Sequence, residues 1–169
     1  MVKSSLFRAA LRLALGCSLF LGGCGYHWGY VRPPGVQTVG VAVFENETFR
    51  RGVELQLTEL ISEEIATKTG FLLDSPEKAD AVIKGKVLDV YDAPILSGPN
   101  NEIRDVSVWI SVKAEFVERR TGKVLATTTL VDRAYFLTDS GQSRQTATQK
   151  TSSRLAEKIV YNLSYVAAK

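Results

Sequence analysis

Hydrophobic and polar residues alternate most regularly in the middle of the chain. From Asp105 to Phe116, apolar side chains fill every second position, and mostly polar ones fill the positions between them. Because successive side chains of a β-strand point to opposite faces, this alternation predicts a strand with one buried face and one open face. The sequence Arg119-Arg120-Thr121-Gly122 predicts a tight hairpin turn after it. A further strand, from Val124 to Phe136, is expected to follow that turn.

Two earlier segments also have the composition of strands. Val36 to Phe44 is short, β-branched and apolar, which is typical of a buried strand. Ala81 to Val90 alternates Lys84 and Lys86 with apolar residues and predicts a second strand. The stretch from Asp92 to Asn101 is rich in Pro, Gly and Asn, and we expect it to form a loop before the next strand.

Apolar residues recur at helical spacing in two segments. Five of them predict an amphipathic helix of about four turns that stops at Gly70: Val53, Leu57, Leu60, Ile61 and Ile65. Asn46 and Thr48 precede this helix and are its candidate caps. Four more predict a C-terminal helix: Leu155, Ile159, Leu163 and Val166. Residues 142–153, just before them, are dense in Ser, Thr and Gln and have weak helix propensity.

The order of these segments predicts an α+β fold. A strand, a helix, three antiparallel strands and a second helix fit a two-layer sandwich, in which both helices pack on one face of a mostly antiparallel four-stranded sheet. The other face of the sheet is left open. We expect residues 36–169 to form a single domain of this kind, because no internal repeat, low-complexity block or second domain is visible along them.

The alternation also predicts which side chains lie on the open face. Five of them are cationic or aromatic: Lys84, Lys86, Trp109, Lys113 and, if the last strand keeps its register, Arg133. Cations beside an aromatic ring suit an anionic amphiphile, in which phosphates are flanked by acyl chains. The alternative is that the lysines only solvate an open sheet face. Trp109 favours a contact surface, because a large aromatic on a polar face is more typical of a contact.

The N-terminus has the features of an export signal. Three basic residues come before an apolar run from Leu13 to Leu21. The run is too short to span a bilayer, which needs roughly 20 apolar residues. The sequence Leu21-Gly22-Gly23-Cys24 resembles the bacterial lipobox, so we expect residues 1–23 to be removed and Cys24 to be lipidated. Cys17 is a weaker alternative, because the residues before it lack the usual large aliphatic side chain at the first position.

Cleavage before Cys24 changes the charge and the possible redox chemistry of the chain. The signal holds three of the 21 basic side chains and none of the 18 acidic ones, so the mature chain is formally neutral and does not indicate nucleic-acid binding. Both cysteines lie in or at the end of the signal, which leaves no pair for a disulfide. Residues 24–35, rich in glycine, proline and aromatics, are expected to form a lipidated tether.

The chain offers little that catalysis or metal binding requires. Its one histidine, His27, lies in the predicted tether, without a rigid scaffold or further metal ligands beside it. Without that histidine, a serine nucleophile lacks its usual base. Neighbouring carboxylates such as Glu63 and Glu64 fall on the helix surface pattern and are typical of a solvated face. We therefore expect neither an enzyme nor a cofactor or metal site.

Short motifs near the start of the mature chain resemble a known family. Cys24-Gly25-Tyr26 is a typical start of the lipopolysaccharide-assembly lipoproteins of the LptE family. The stretches Val41 to Thr48 and Gly52 to Thr58 resemble that family's first strand and first helix. Six residues fall where the family tends to have them: Phe44, Asn46, Thr48, Glu54, Leu57 and Thr58. The order of elements matches as well, so the resemblance covers residues 24–169.

The resemblance implies a non-enzymatic role in the cell envelope. LptE-like proteins sit as a plug inside a large β-barrel, LptD, where they help the barrel to fold and lipopolysaccharide to reach the outer leaflet. The expected partners are thus an LptD-like barrel, lipopolysaccharide and, through the lipid anchor, the periplasmic face of the outer membrane. Gly25 after the lipidated cysteine, in place of Asp, fits that localisation. The five residues of the open face are the candidate contacts for lipopolysaccharide or the partner.

Two other classes of function stay open at this point. Similar Val-Ala-Val-Phe segments occur in other envelope lipoproteins, so the sequence also fits an adaptor that assembles a secretion pore or activates a cell-wall synthase. A lipid-anchored enzyme is the third class, and the missing base weighs against it. The protein that co-purifies with the chain separates the first two classes.

Overall fold

Eight elements make up the part of the chain that the structure, a computed structural model, describes: residues 30–97, 103–137 and 143–168. In chain order they are β1 (Thr38–Val41), β2 (Glu45–Asn46), α1 (Val53–Lys68), β3 (Leu72–Leu73), β4 (Ala81–Ser97), β5 (Ile103–Glu118), β6 (Val124–Leu137) and α2 (Arg144–Ala167). The predicted signal lies outside the described residues, and so do Cys24 and His27 of the predicted tether. Neither of the two described helices has the length and hydrophobicity needed to cross a bilayer.

The described strands form one mixed sheet of six strands in the order β3-β1-β4-β5-β6, with β2 paired to β4. β4, β5 and β6 are antiparallel, as predicted, whereas β1 runs parallel to both β3 and β4. The prediction of an α+β fold with two helices is confirmed, and that of a mostly antiparallel four-stranded sheet is wrong. The reason is α1, which returns the chain to the end of the sheet where β1 starts, so β3 and β4, which follow it, run parallel to β1.

β4 is longer than the sequence predicts. The stretch from Asp92 that was expected to form a loop continues β4 as far as Ser97, and Asp92 pairs with Val108 of β5. The register between the two strands shifts just after Pro94. Pro94 pairs with Val106, and no described strand pairs with β4 on its other side at this point, so a residue without an N–H to donate fits there without ending the strand. Residues 98–102, the remainder of the expected loop, lie outside the described part of the chain.

Both helices pack on one face of the sheet, as predicted, and the core lies between the two layers. Its largest fully buried side chains are Phe44, Phe116, Leu57, Ile61, Ile65, Ile110, Leu155, Ile159 and Leu163. The position of Phe44 depends on Gly85 of β4, because a Cβ at residue 85 would lie 2.5 Å from Phe44 Cε1 and 2.5 Å from the Lys113 carbonyl oxygen. A glycine stands in the middle of this strand because an aromatic ring occupies the place of its side chain.

The first helix begins differently from the prediction. Neither Asn46 nor Thr48 caps α1, whose N-cap is Gly52 with a φ of 93°. The Glu54 carboxylate accepts hydrogen bonds from the Gly52 N–H at 3.0 Å and from Asn46 Nδ2 at 2.6 Å. Asn46 therefore ties the preceding loop to the first turn of the helix. α1 ends at Lys68, two residues before the glycine that was expected to stop it.

The second helix includes the stretch with weak helix propensity. α2 starts at Arg144, because the Oγ of Ser143 caps it by accepting a hydrogen bond from the Thr146 N–H at 3.2 Å. The buried hydroxyl of Thr151 donates to the Ala147 carbonyl at 2.9 Å, so it leaves no unpaired donor in the core. Tertiary packing and a cap thus override a modest local preference.

Candidate contact surfaces

All five predicted contact residues belong to the open face of the sheet, on three adjacent strands. The register pairs Lys86 of β4 with Lys113 of β5 near one end of the face, and Lys84 lies beside them. Near the other end it pairs Trp109 of β5 with Arg133 of β6, so β6 does keep its register. Trp109 and Lys113 are four residues apart in one strand, which is about 13 Å. The five side chains therefore form two separate groups, and Trp109 is not at the centre of one patch.

Glutamates surround the first of these, the lysine group of Lys84, Lys86 and Lys113. Lys86 Nζ lies 2.8 Å from Glu45 Oε2 and 3.3 Å from Glu47 Oε1. Hydrogen bonds to these two carboxylates raise the pKa of Lys86, so it stays charged. The same lysine is half exposed, and exposed ion pairs of this kind add little stability. Their main effect is to balance the positive charge at this end of the face.

The other two lysines of the lysine group differ from each other. Lys113 Nζ lies 3.0 Å from Glu115 Oε1, on the same strand. Lys84 forms no ion pair with any residue that the structure describes. All three line a groove of about 290 Å³. Lys84 is thus the member of the group with a charge available to an external anion.

The second group is a row of stacked rings, which we call the aromatic ladder: Tyr91, Trp109, Arg133 and Tyr135. The rings of Tyr91 and Trp109 stack with centroids 5.8 Å apart and planes 7° apart. Arg133 Cζ lies 4.7 Å from the Trp109 ring centroid and 5.4 Å from that of Tyr135. Cation–π contacts of this length hold the guanidinium in place over the rings.

Two hydrogen bonds fix the Trp109 side chain of the aromatic ladder. Trp109 Nε1 donates to Ser107 Oγ at 2.9 Å, and Ser107 Oγ donates to the Ala93 carbonyl at 3.0 Å. The two tyrosines at the ends of the ladder are about half exposed. Trp, Tyr and Arg are the residue types that most often dominate binding energies at protein interfaces. The aromatic ladder is therefore a rigid surface suited to a macromolecular partner.

A third surface, not expected from the sequence, lies at the end of the fold where α1 and α2 begin. Its basic side chains form the arginine cluster: Arg50, Arg51 and Arg144. They line an open groove of about 680 Å³ together with Phe49, which is fully exposed. Asp92 lies 2.8 Å from Arg144 Nε and 3.4 Å from Arg50 Nη2. Asp92 is the one carboxylate of the described residues that forms ion pairs with this cluster, so three guanidinium groups leave the groove positive.

Only part of the arginine cluster is visible in the sequence. The adjacent residues Phe49, Arg50 and Arg51 are a visible signal, since an apolar side chain beside two cations suits an amphiphilic anion. Arg144 and Asp92, however, reach the same place only through the fold. Arg144 lines the groove, and its buried Nη2 has no hydrogen-bond partner among the described residues.

The described residues bring no set of metal ligands together. No three side chains of His, Cys, Asp or Glu in this part of the chain are arranged to hold a metal ion. The three surfaces are instead shallow and built from cations, aromatics and ion pairs. Such surfaces bind by contact over an area, in the way that protein partners and amphiphiles are bound.

Solved structures from several bacteria share this fold. XCC0632 from Xanthomonas campestris is 9% identical, with a TM-score of 0.61 over 84% of this chain and 89% of that chain. Uncharacterized lipoprotein B from Nitrosomonas europaea is 13% identical, with a TM-score of 0.55 over 84% and 90%. The PelC dodecamer from Paraburkholderia phytofirmans is 15% identical, with a TM-score of 0.55 over 81% and 94%. At these identities the likeness shows the fold alone.

Sequence comparison is more specific. No curated protein matches the chain. The family model LptE, described as lipopolysaccharide-assembly, matches residues 36–163, which run from just before β1 into the last turns of α2.

Proposed function

The chain belongs to the LptE family of lipopolysaccharide-assembly proteins, and we propose that it is the lipoprotein subunit of a lipopolysaccharide translocon. In this role it plugs an LptD-like β-barrel, supports the folding of that barrel and assists the insertion of lipopolysaccharide into the outer leaflet. The observation that carries the proposal is the family match over residues 36–163, which covers almost all of the folded domain. The role requires no catalytic step and no cofactor.

The shape and polarity of the open face support a plug. The inside of a large membrane barrel is polar and wet, so its occupant needs hydrophilic contacts over a broad area. The open face offers threonines such as Thr127 and Thr129 on β6, the paired charges of the lysine group, and the aromatic ladder. We assign the aromatic ladder, with Trp109 and Arg133, to contact with the barrel wall.

The cations with free charge are the proposed contacts for lipopolysaccharide. This molecule carries phosphates beside acyl chains, and guanidinium groups recognise phosphate through paired hydrogen bonds. Within the lysine group, Lys84 is the main proposed phosphate contact because it has no ion pair with a described residue, and Lys86 and Lys113 lie beside it. The arginine cluster and Phe49 offer the same chemistry in a larger groove. The open face and this groove are then two successive contact surfaces for one amphiphilic anion.

The proposed anchor is a lipid on Cys24. Residues 1–23 form the signal that is removed, residues 24–35 are the tether, and residues 36–169 are the domain. A lipid-modified N-terminal cysteine with several acyl chains is enough for stable attachment, because each buried methylene contributes about 0.8 kcal/mol. The protein is then held at the periplasmic face of the outer membrane.

The test is co-purification from outer membranes solubilised in mild detergent, with an affinity tag at the C-terminus. A large β-barrel protein in the eluate, identified by mass spectrometry, supports the translocon. A matched sample with Trp109→Ala should recover less of it, whereas Ser111→Ala, two residues away on the same face, should recover the normal amount. An eluate that holds a periplasmic enzyme or only copies of this chain, and no barrel, supports the adaptor class instead.

A further inference from the structure

The described chain begins at Tyr30, in the groove between the two helices. The Tyr30 hydroxyl donates a hydrogen bond to Glu64 Oε1 of α1, and Lys68 Nζ lies 2.9 Å from the other carboxylate oxygen. Glu64 is only 7% exposed, so the expectation that it lies on a solvated face is wrong. Burial and the hydrogen bond to Glu64 raise the pKa of Tyr30, so its hydroxyl keeps the proton that makes this bond. The point where the tether enters the domain is therefore fixed.

Tyr30 also contacts the end of α2. Its ring packs edge-on against Tyr161, with centroids 6.2 Å apart and planes 69° apart, and Tyr161 stacks on Tyr165 at 6.2 Å and 6°. Tyr161, Tyr165 and Val166 are 50%, 46% and 48% exposed. We call these four residues, Tyr30 included, the tyrosine face. The described part of α2 has no other large exposed apolar side chain, so its apolar outer surface is confined to the last two turns.

The side chains toward the start of α2 mark the limit of this surface. Arg154 and Lys158 continue the stripe of Tyr161 and Tyr165 at helical spacing, and both pair with Asp132 of β6, at 3.3 and 2.9 Å. Beyond them the exposed positions of the helix are polar. The outer side of α2 therefore changes from polar to aromatic toward the point where the tether enters.

The length of the tether limits where the lipid can be. Cys24 precedes Tyr30 by six residues, and six residues span at most about 20 Å when fully extended. The acyl chains on Cys24 enter the bilayer, so the tyrosine face is held within about that distance of the lipid headgroups. Arg144, at the start of α2, is 17 residues from Tyr161, which places it about 26 Å farther along the helix.

We propose that the tyrosine face lies against the headgroup region of the membrane that holds the anchor, so that the C-terminal end of α2 is the end of the domain nearest the lipid. This inference rests on the proposed lipidation of Cys24. Tyrosine suits the place, because its ring is apolar and its hydroxyl is polar, and such rings collect at the boundary between acyl chains and water. The lipid supplies attachment and the tyrosine face supplies orientation, which places the arginine cluster at the end of α2 farthest from the anchor.

The test uses the full-length, lipidated protein in vesicles of phosphatidylethanolamine and phosphatidylglycerol. The acylated Cys24 has no free thiol and Cys17 is removed with the signal, so a single introduced cysteine takes a spin label specifically. One variant is Asn162→Cys, beside the tyrosines. The matched control is Lys150→Cys, about 18 Å away in the same helix. Collisions with oxygen, which concentrates in lipid, and with a nickel chelate, which stays in water, report the depth of each label.

We expect the ratio of oxygen to nickel collisions to be several times higher at residue 162 than at residue 150. The pair Tyr161→Ser and Tyr165→Ser, added to the Asn162→Cys protein, should lower that ratio to the value at residue 150 while circular dichroism stays unchanged. Equal ratios at the two positions, with acyl chains found on Cys24 by mass spectrometry, overturn the inference and leave the anchor intact. An unacylated Cys24 overturns both this inference and the proposed anchor. Recovery of the barrel by co-purification is measured separately and tests only the proposed function.

Discussion

Replacing Gly85 by alanine should destabilise the domain by crowding two neighbours of this residue. The added Cβ would lie 2.5 Å from Phe44 Cε1 and 2.5 Å from the backbone oxygen of Lys113. Both neighbours are held firmly, because Phe44 is buried in the core and the oxygen belongs to the paired strand β5. Neither can move by the ångström or more that a normal contact needs without disturbing the core or the ladder of hydrogen bonds.

The magnitude follows from this crowding. Forcing an extra carbon into a packed core costs about 1–3 kcal/mol, and a clash with backbone puts Gly85→Ala at the upper end, about 3 kcal/mol. The measurement is urea unfolding followed by circular dichroism, in which the midpoint should fall while the slope with urea stays the same. Gly70→Ala is the matched control, since its Cβ would meet nothing closer than 3.4 Å, at the side chain of Arg32. It should change stability by less than about 0.5 kcal/mol.

A second substitution separates this contact from a general effect of alanine in a strand. Phe44→Leu alone should cost about 1 kcal/mol, because it shortens a buried side chain. Combined with Gly85→Ala, it should restore part of the loss, so that the double variant is more stable than the sum of the two single changes predicts. An additive double variant, or a Gly85→Ala protein as stable as the wild type, would refute the crowding between residues 44 and 85.

The remaining predictions concern the surfaces, the anchor and pH. Trp109→Ala should weaken the barrel complex by about 30-fold, the equivalent of about 2 kcal/mol, as for an aromatic anchor at an interface; unchanged co-purification contradicts this. Lys84→Glu with Lys113→Glu should weaken lipopolysaccharide binding in a filter assay while the circular dichroism spectrum is retained, and an unchanged affinity returns these lysines to a role in solubility. Cys24→Ala should leave an unprocessed or mislocalised precursor, and radiolabelled fatty acid still on that variant would point to another cysteine. Two backbone N–H groups at the start of β1 donate to Asp80 and lower its pKa. The Asp80→Asn protein should therefore be less stable than the wild type at neutral pH, and this difference in stability should shrink as the pH falls below about 4. A difference in stability that does not depend on pH contradicts the assignment.

Some of the fold could be predicted because the physical signal is local. The period-2 pattern of β5 gives its buried and open faces directly, since every inward position from Val108 to Phe116 carries an apolar side chain. The apolar stripe from Val53 to Ile65 likewise identifies α1 and its buried side. The placement of Trp109 on the open face follows from the same alternation.

Other features depend on contacts between distant residues and leave no local signal. β2 and β3 are two residues long, and each exists only because a neighbouring strand offers free backbone groups. From its charge, Glu64 is expected on the outside of α1, yet the side chain of Tyr30, 34 residues earlier, covers it. The partners that neutralise Lys86 come from β2 and the loop after it, which a strand-by-strand view does not bring together.

One bulge in β4 accounts for most of the difference between the predicted patch and the observed surfaces. With strict alternation, Ile83, Gly85 and Val87 would be followed on the core face by residues 89 and 91. The register shifts between Val87 and Asp89, so Val90 points to the core. Tyr91 then points to the open face, where it stacks on Trp109.

The same bulge also turns Asp92 to the side of the helices, where it meets Arg144 and Arg50. A one-residue insertion in the ladder thus completes the aromatic ladder on one face and supplies the carboxylate of the arginine cluster on the other. Both proposed contact surfaces therefore depend on this irregularity in β4.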